Sequence, residues 1–91
     1  MQGGRFSDNG DDGIRVRDGA ADITVNGAEA AGNAGSGIRV RDSSGVSLAG
    51  NTASGNGEWG IRVENSGVVN GGTLASDNVL DGNTRGALRV E

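Results

Sequence analysis

Apolar residues alternate with arginine in Gly37-Ile38-Arg39-Val40, and near-copies stand at Gly13-Ile14-Arg15-Val16, Gly60-Ile61-Arg62-Val63 and Gly86-Ala87-Leu88-Arg89-Val90. A period of two over so short a stretch predicts a strand with one face buried. A second alternation follows at Ile23-Thr24-Val25, Val46-Ser47-Leu48 and Val68-Val69-Asn70, with the first and third residues of each triplet predicted to face inward. A third segment is built of small residues and ends on asparagine: Phe6-Ser7-Asp8-Asn9, Ala30-Ala31-Gly32-Asn33, Ala53-Ser54-Gly55-Asn56 and Ala75-Ser76-Asp77-Asn78.

The spacing joins these segments into a repeat. Ile14 to Ile38 is 24 residues and Ile38 to Ile61 is 23, while the four asparagines fall 24, 23 and 22 residues apart. Two registers that agree at this period point to stacked supersecondary units. Three short strands per turn predict an all-β fold, a right-handed parallel β-helix of about four short coils of 22 to 26 residues, with 1–91 forming one module excerpted from a longer β-helix. The left-handed alternative requires a six-residue beat that the chain lacks.

The turns fit this reading. Arg17-Asp18-Gly19-Ala20-Ala21-Asp22, Arg41-Asp42-Ser43-Ser44-Gly45 and Glu64-Asn65-Ser66-Gly67 supply residues that tolerate positive φ and bond their own backbone. Asn9, Asn33, Asn56 and Asn78 are expected to bend the chain in the left-handed conformation and to bond amide to amide up the stack. The stretch Val79-Leu80-Asp81-Gly82 reads as a loop protruding beside the third first-side strand, although Asn83 is an alternative to Asn78 as the ladder's last member. No capping helix is evident at either end, so both ends are expected to expose unpaired backbone that invites another chain.

Composition narrows the chemistry. Nineteen glycines, nine asparagines, no proline and 33% apolar residues are too little for a two-layer core in 91 residues, but enough for a thin column shared between coils. The chain has no cysteine and no histidine, which removes the thiolate nucleophile, the commonest general base and the commonest zinc ligand. No cofactor and no metal site are expected. A net charge of -4 argues against nucleic acid as a partner. Met1-Gln2-Gly3-Gly4-Arg5 carries no apolar run, so it reads as neither signal peptide nor membrane span. An excerpt from an extracellular parent would look the same.

The repeat resembles those of the pectate-lyase-like superfamily, which includes pectate lyases, polygalacturonases, mannuronan epimerases and phage tailspikes. That resemblance implies the right-handed coil and leaves activity open, because the same coil serves enzymes and structural shafts. Asn9-Gly10-Asp11-Asp12-Gly13, Gly35-Ser36-Gly37 and Gly60-Ile61-Arg62-Val63-Glu64 are similar to three polygalacturonase motifs. Ser36 stands where that family has histidine, and Glu64 where it has lysine. The proline-containing signatures of pectate lyases and epimerases are absent. Asp11 and Asp12 are consecutive, and strand geometry would send them to opposite sides unless a turn intervenes.

All eight cations are arginine. Stacking predicts Arg15, Arg39, Arg62 and Arg89 in one outward column, with Arg17 and Arg41 beside Glu64 and Glu91 in the next. Like charges at strand spacing repel by about 0.2 to 1 kcal/mol per pair, so something must offset them. Asp18, Asp42 and Glu64 are placed to fork onto the guanidinium groups. An anionic polysaccharide lying across the face is the other solution. Its candidate contacts are Arg15, Arg39, Arg62, Arg89, Trp59 and Glu64, with Trp59 stacking on a sugar or on Arg85. Asp8, Asp11, Asp12 and Glu58 lack calcium-loop spacing and read as solvated turn acids. Three functional readings follow. The first is a non-catalytic structural module that self-associates through its ends into a homo-oligomer or end-to-end stack; the second is the polysaccharide face; the third is the remnant of a polyuronate-active enzyme.

Overall fold

A computed structural model describes residues 4–7, 10–17, 19, 21–68 and 74–90. In chain order the elements are β1 (Arg5–Ser7), β2 (Ile14–Val16), β3 (Thr24–Asn26), β4 (Glu29–Ala31), β5 (Ile38–Arg41), β6 (Ser47–Ala49), β7 (Thr52–Ser54), β8 (Trp59–Glu64), α1 (Leu74–Asp77) and β9 (Gly86–Val90). Every pairing is parallel, and the strands sort onto three sides as β2-β5-β8-β9, β3-β6 and β1-β4-β7. The chain is a parallel β-solenoid measuring 27 × 21 × 21 Å. Phe6, Ala30 and Ala53 stack in register, and a bridge from Thr52 to Val79 adds the next rung, so about three turns lie between β1 and that rung.

The aliphatic columns run inside. Ile14, Ile38, Ile61 and Leu88 are register partners, as are Val16, Val40, Val63 and Val90. Val25 stacks on Leu48, and Val46 bridges to Val68. Ile38, Val40, Val46, Leu48 and Ile61 are fully buried. Each strand therefore spends alternate residues on a core that its neighbours complete, which is how a chain so poor in large apolar residues closes. Of the second-side triplets, Val69 and Asn70 lie outside the described residues.

Two ladders of buried asparagine line the corners. The Oδ1 of Asn56 accepts from Asn33 N (3.0 Å) and Asn33 Nδ2 (2.9 Å), and the Oδ1 of Asn83 accepts from Asn56 N (3.0 Å) and Asn56 Nδ2 (2.8 Å). At a different corner, the Oδ1 of Asn51 accepts from Ala28 N at 2.9 Å, and that of Asn78 accepts from Asn51 N and Nδ2, each at 3.0 Å. Asn78 therefore belongs to the second ladder, and Asn83, the alternative, continues the first. Asn9 lies outside the described residues.

This corrects the expectation for the last coil. Val79 to Gly82 do not protrude: Ala53 N donates to Val79 O (2.8 Å) and Gly55 N to Asp81 O (3.0 Å), which makes this stretch the fourth rung of the third side. The extra length sits earlier. Ladder partners are 23 residues apart between Asn33 and Asn56 but 27 apart between Asn56 and Asn83, one residue beyond the longest coil expected. The one-turn helix α1 accounts for part of it, an element the sequence pattern did not predict. It packs on β6 and buries Leu74 at the end of the core.

Asn33, Asn56 and Asn78 do not take the left-handed conformation either. Along the first ladder the glycine before each of Asn33, Asn56 and Asn83 does so, with φ of 67° at Gly32, 63° at Gly55 and 64° at Gly82. The asparagine is thereby left free to turn its amide inward. Left-handed non-glycine residues occur instead in the first turn, at Asp22, Asp42 and Asn65, whose short polar side chains tolerate it.

Candidate functional site

The outer face of the four-stranded side carries the arginines. Arg15, Arg39, Arg62 and Arg89 are successive register partners, and Arg41 pairs with Glu64 in the adjoining column. Alternation forces this, since the residue between two buried aliphatics must face solvent. Asp18 and Glu91 lie outside the described residues.

The like-charge column is offset from within the chain. The carboxylate of Glu64 stands between two rungs, 3.0 Å from Arg39 Nε and 2.9 Å from Arg62 Nε, with Arg41 Nε at 4.0 Å. Arg62 also lies 3.6 Å from Glu58, and Arg41 lies 3.7 Å from Asp42. Contact with Glu64 holds the Arg39 guanidinium above its ordinary pKa, and the carboxylates of Asp11 and Asp12 do the same for Arg15. The pairs of Glu64 with the arginines are partly exposed, so each contributes no more than about 1 kcal/mol. Their role is to make a stack of cations tolerable.

Asp11 and Asp12 do not diverge. A bend precedes β2, and both carboxylates turn onto Arg15: Asp11 Oδ2 accepts from its Nη2, and Asp12 Oδ2 accepts from Nη2 at 3.1 Å and Nε at 3.2 Å. Asp12 is pinned further, since its Oδ1 accepts from Ser36 N at 2.8 Å and its Oδ2 lies 3.7 Å from Arg39 Nη1. Its side chain is 3% exposed. The hydrogen bond from Arg15 holds the Asp11 carboxyl below the ordinary aspartate pKa. A lowered pKa makes Asp11 a poor general acid near neutrality. Gly35 is required beside this pair, because a Cβ there would lie 2.5 Å from Asp12 Oδ1.

Trp59 stands at the start of β8 opposite Gly86, and the guanidinium above its ring is that of Arg89, 5.8 Å from the centroid, rather than that of Arg85. The indole lies over Gly86, where a Cβ would meet Trp59 Cζ3 at 2.8 Å. Trp59 and Arg89 thus engage each other at the last rung.

A family model described as a right-handed beta helix region matches residues 1–91. The chain belongs to that family. No curated protein and no solved structure matches it. The family match gives the solenoid its right hand and agrees with the resemblance to the pectate-lyase-like superfamily.

On this right-handed β-helix the sequence-selected residues form two groups. Arg39, Arg62 and Glu64 are one ion-paired network with Arg41 at its edge and Arg15 joined to it through Asp12, and Arg89 pairs with Trp59 at the last rung. Two concavities adjoin them. An open one of about 670 Å³ is lined by Phe6, Asp11, Asp12, Arg15 and neighbours, and a cleft of about 120 Å³ lies between Arg15, Arg17, Arg39 and Arg41. Sequence reasoning left Arg17 and Arg41 out of the site. The signal for them was present, because a residue two positions after a column arginine shares its face. Among the described residues no group of three acidic side chains is arranged to hold a metal ion. Asp8 lies outside them, and Glu58 faces Arg62.

Proposed function

We propose that this β-helix is a non-catalytic structural module that associates with a second copy through its end faces. The observation carrying this reading is the last rung, where Val90, in register with the buried Val40 and Val63, is 60% exposed. Covering it would gain about 1 to 2 kcal/mol by area. β9 has a partner strand on one edge, β8, and among the described residues none on the other. An open parallel edge above an apolar surface favours another chain. Against a catalytic reading, Asp12 is enclosed by Ser36 and two arginines. Sedimentation velocity over a concentration series tests the proposal. The weight-average mass should rise above the monomer, and Val90→Lys should reverse the rise. A mass that stays monomeric throughout would defeat it.

The cleft between Arg15, Arg17, Arg39 and Arg41 favours a second reading, in which an anionic polysaccharide lies across the first two rungs. Four arginine side chains line it, and planar guanidinium forks match carboxylate and sulfate groups. Arg17→Ala with Arg41→Ala should weaken retention on an immobilised polyuronate. Glu64→Gln, which removes the carboxylate competing for Arg39 and Arg41, should strengthen it. Equal retention of all three proteins would count against this reading.

A further inference from the structure

Three turns place glycine at the residue before the first apolar position of the arginine-bearing strand, and the fourth places alanine. A Cβ built on Gly13 would lie 2.8 Å from Gly37 O and 3.0 Å from Ala30 Cβ. One built on Gly37 would lie 2.8 Å from Gly60 O and 2.7 Å from Ala53 Cβ. At Gly60 the corresponding contacts are Ala87 O at 2.6 Å and Leu80 Cβ at 3.2 Å. In every case the obstructing atoms belong to the following turn. The side-chain direction at this position therefore runs along the stack and strikes the next rung's carbonyl. Only glycine leaves room for that rung.

Ala87 is the next member of the column, since Trp59 pairs with Gly86 and Ile61 with Leu88. It is exposed, and the direction a Cβ takes at Gly13, Gly37 and Gly60 would carry its methyl out of the end face. We infer that Ala87 is a steric stop: a second copy cannot add to this face in the solenoid's own head-to-tail register, so copies join as closed pairs and not as filaments. The inference rests on the proposed end-face association and specifies its geometry.

On the first side a second copy is otherwise matched to continue the stack. Its first rung would bring Ile14 and Val16, each 8% exposed, under Leu88 and Val90. The same apolar-Arg-Val pattern already pairs in register three times within the chain. Charge agrees as well. Asp11, Gly35, Glu58 and Arg85 form one column, with Gly35 N donating to Asp11 O (3.1 Å), Glu58 N to Gly35 O (3.1 Å) and Arg85 N to Glu58 O (2.9 Å). Head-to-tail addition would set Asp11 of the second copy beside Arg85. On that side one methyl group stands against these attractions. Contacts of 2.6 to 2.8 Å fall short of the 3.4 Å at which ordinary van der Waals contact begins, and the obstructing atom is backbone. A head-to-tail contact repeats without end, whereas a face paired with its own copy closes.

Sedimentation velocity on the wild type, Ala87→Gly and Ala87→Ser over a roughly hundred-fold concentration range tests the stop, with circular dichroism to check that each variant is folded. The wild type and Ala87→Ser should level off at no more than a dimer. Ala87→Gly should keep growing with concentration, and Asp11→Arg added to it should restore the plateau. Should Ala87→Gly superimpose on the wild type, or the wild type itself grow without limit, the stop is overturned. A monomeric wild type beside a growing Ala87→Gly would uphold the stop while ending the proposal that native end faces pair.

Discussion

Replacing Asn56 with alanine removes the centre of the longer asparagine ladder. Asn56 is 1% exposed. Its Oδ1 accepts two bonds from Asn33, its Nδ2 donates to Ala30 O at 3.1 Å, and the same Nδ2 donates to Asn83 Oδ1 at 2.8 Å. Four side-chain bonds are lost at once, at a net cost of about 0.5 to 1.5 kcal/mol each, and the Asn33 N–H loses its Asn56 acceptor in a site closed to water. The sum is about 4 kcal/mol. Total stability for a domain of this size is on the order of 5 to 15 kcal/mol, so Asn56→Ala should come close to unfolding it. Asn83→Ala is the internal control. Asn83 sits on the last rung and is only half-buried, so water can replace much of what it loses, and a cost of about 1 to 2 kcal/mol is expected. Urea unfolding followed by circular dichroism measures both, with the m-value expected to stay constant. If Asn56→Ala costs less than about 1 kcal/mol, or no more than Asn83→Ala, the ladder does not hold the corners together.

Two further outcomes follow from the last rung and the first bend. Gly86 combines a φ of 139° with an indole 2.8 Å from where a Cβ would sit, so Gly86→Ala should destabilise by about 1 to 3 kcal/mol and shift Trp59 fluorescence; an unchanged emission spectrum would contradict the geometry. Asp11 has a folded pKa below its ordinary value of 3.8, chiefly through the hydrogen bond from Arg15. A carboxyl depressed in this way adds stability above its unfolded pKa, and that stability fades as pH falls through the folded one. The melting temperature of the wild type should therefore drop more steeply on acidification below 3.8 than that of Asp11→Asn, and parallel curves would refute the pairing.

The inward half of the molecule was legible because burial imposes a rule on every coil. Ile14, Ile38 and Ile61 must lie over one another for so few aliphatics to form a core, and the spacing between them stated the pitch. The last coil misled for a specific reason. Ala75-Ser76-Asp77-Asn78 imitates Ala53-Ser54-Gly55-Asn56 in three of four residues, yet Asp77 replaces the glycine. That glycine carries the corner, because it alone takes positive φ there and frees the asparagine to turn inward. Every Gly-Asn dipeptide in the chain, at Gly32-Asn33, Gly50-Asn51, Gly55-Asn56 and Gly82-Asn83, is such a corner, with φ between 63° and 68° at the glycine. The dipeptide and not the asparagine was the signal. It would have placed Asn83 in the first ladder, found Asn51, and moved the extra residues ahead of Asn78.

The outward half follows no such rule, which is why the site was harder to read. Periodicity assigns Arg15, Arg39 and Arg62 to one column, but what each guanidinium touches depends on bends and on single departures from the repeat. One is the bend before β2, which gathers Asp11 and Asp12 onto Arg15. Another is Glu64, which stands in the column of Arg41 and so converts part of a cationic face into an ion-paired one. Ala87 is a third, a single methyl group where every other turn has none. In a solenoid the repeat encodes the scaffold, and interaction properties reside where a coil breaks it. The residues that set this chain's partners are therefore to be sought among its irregular positions, with Ala87, Glu64 and the Asp11-Asp12 bend first.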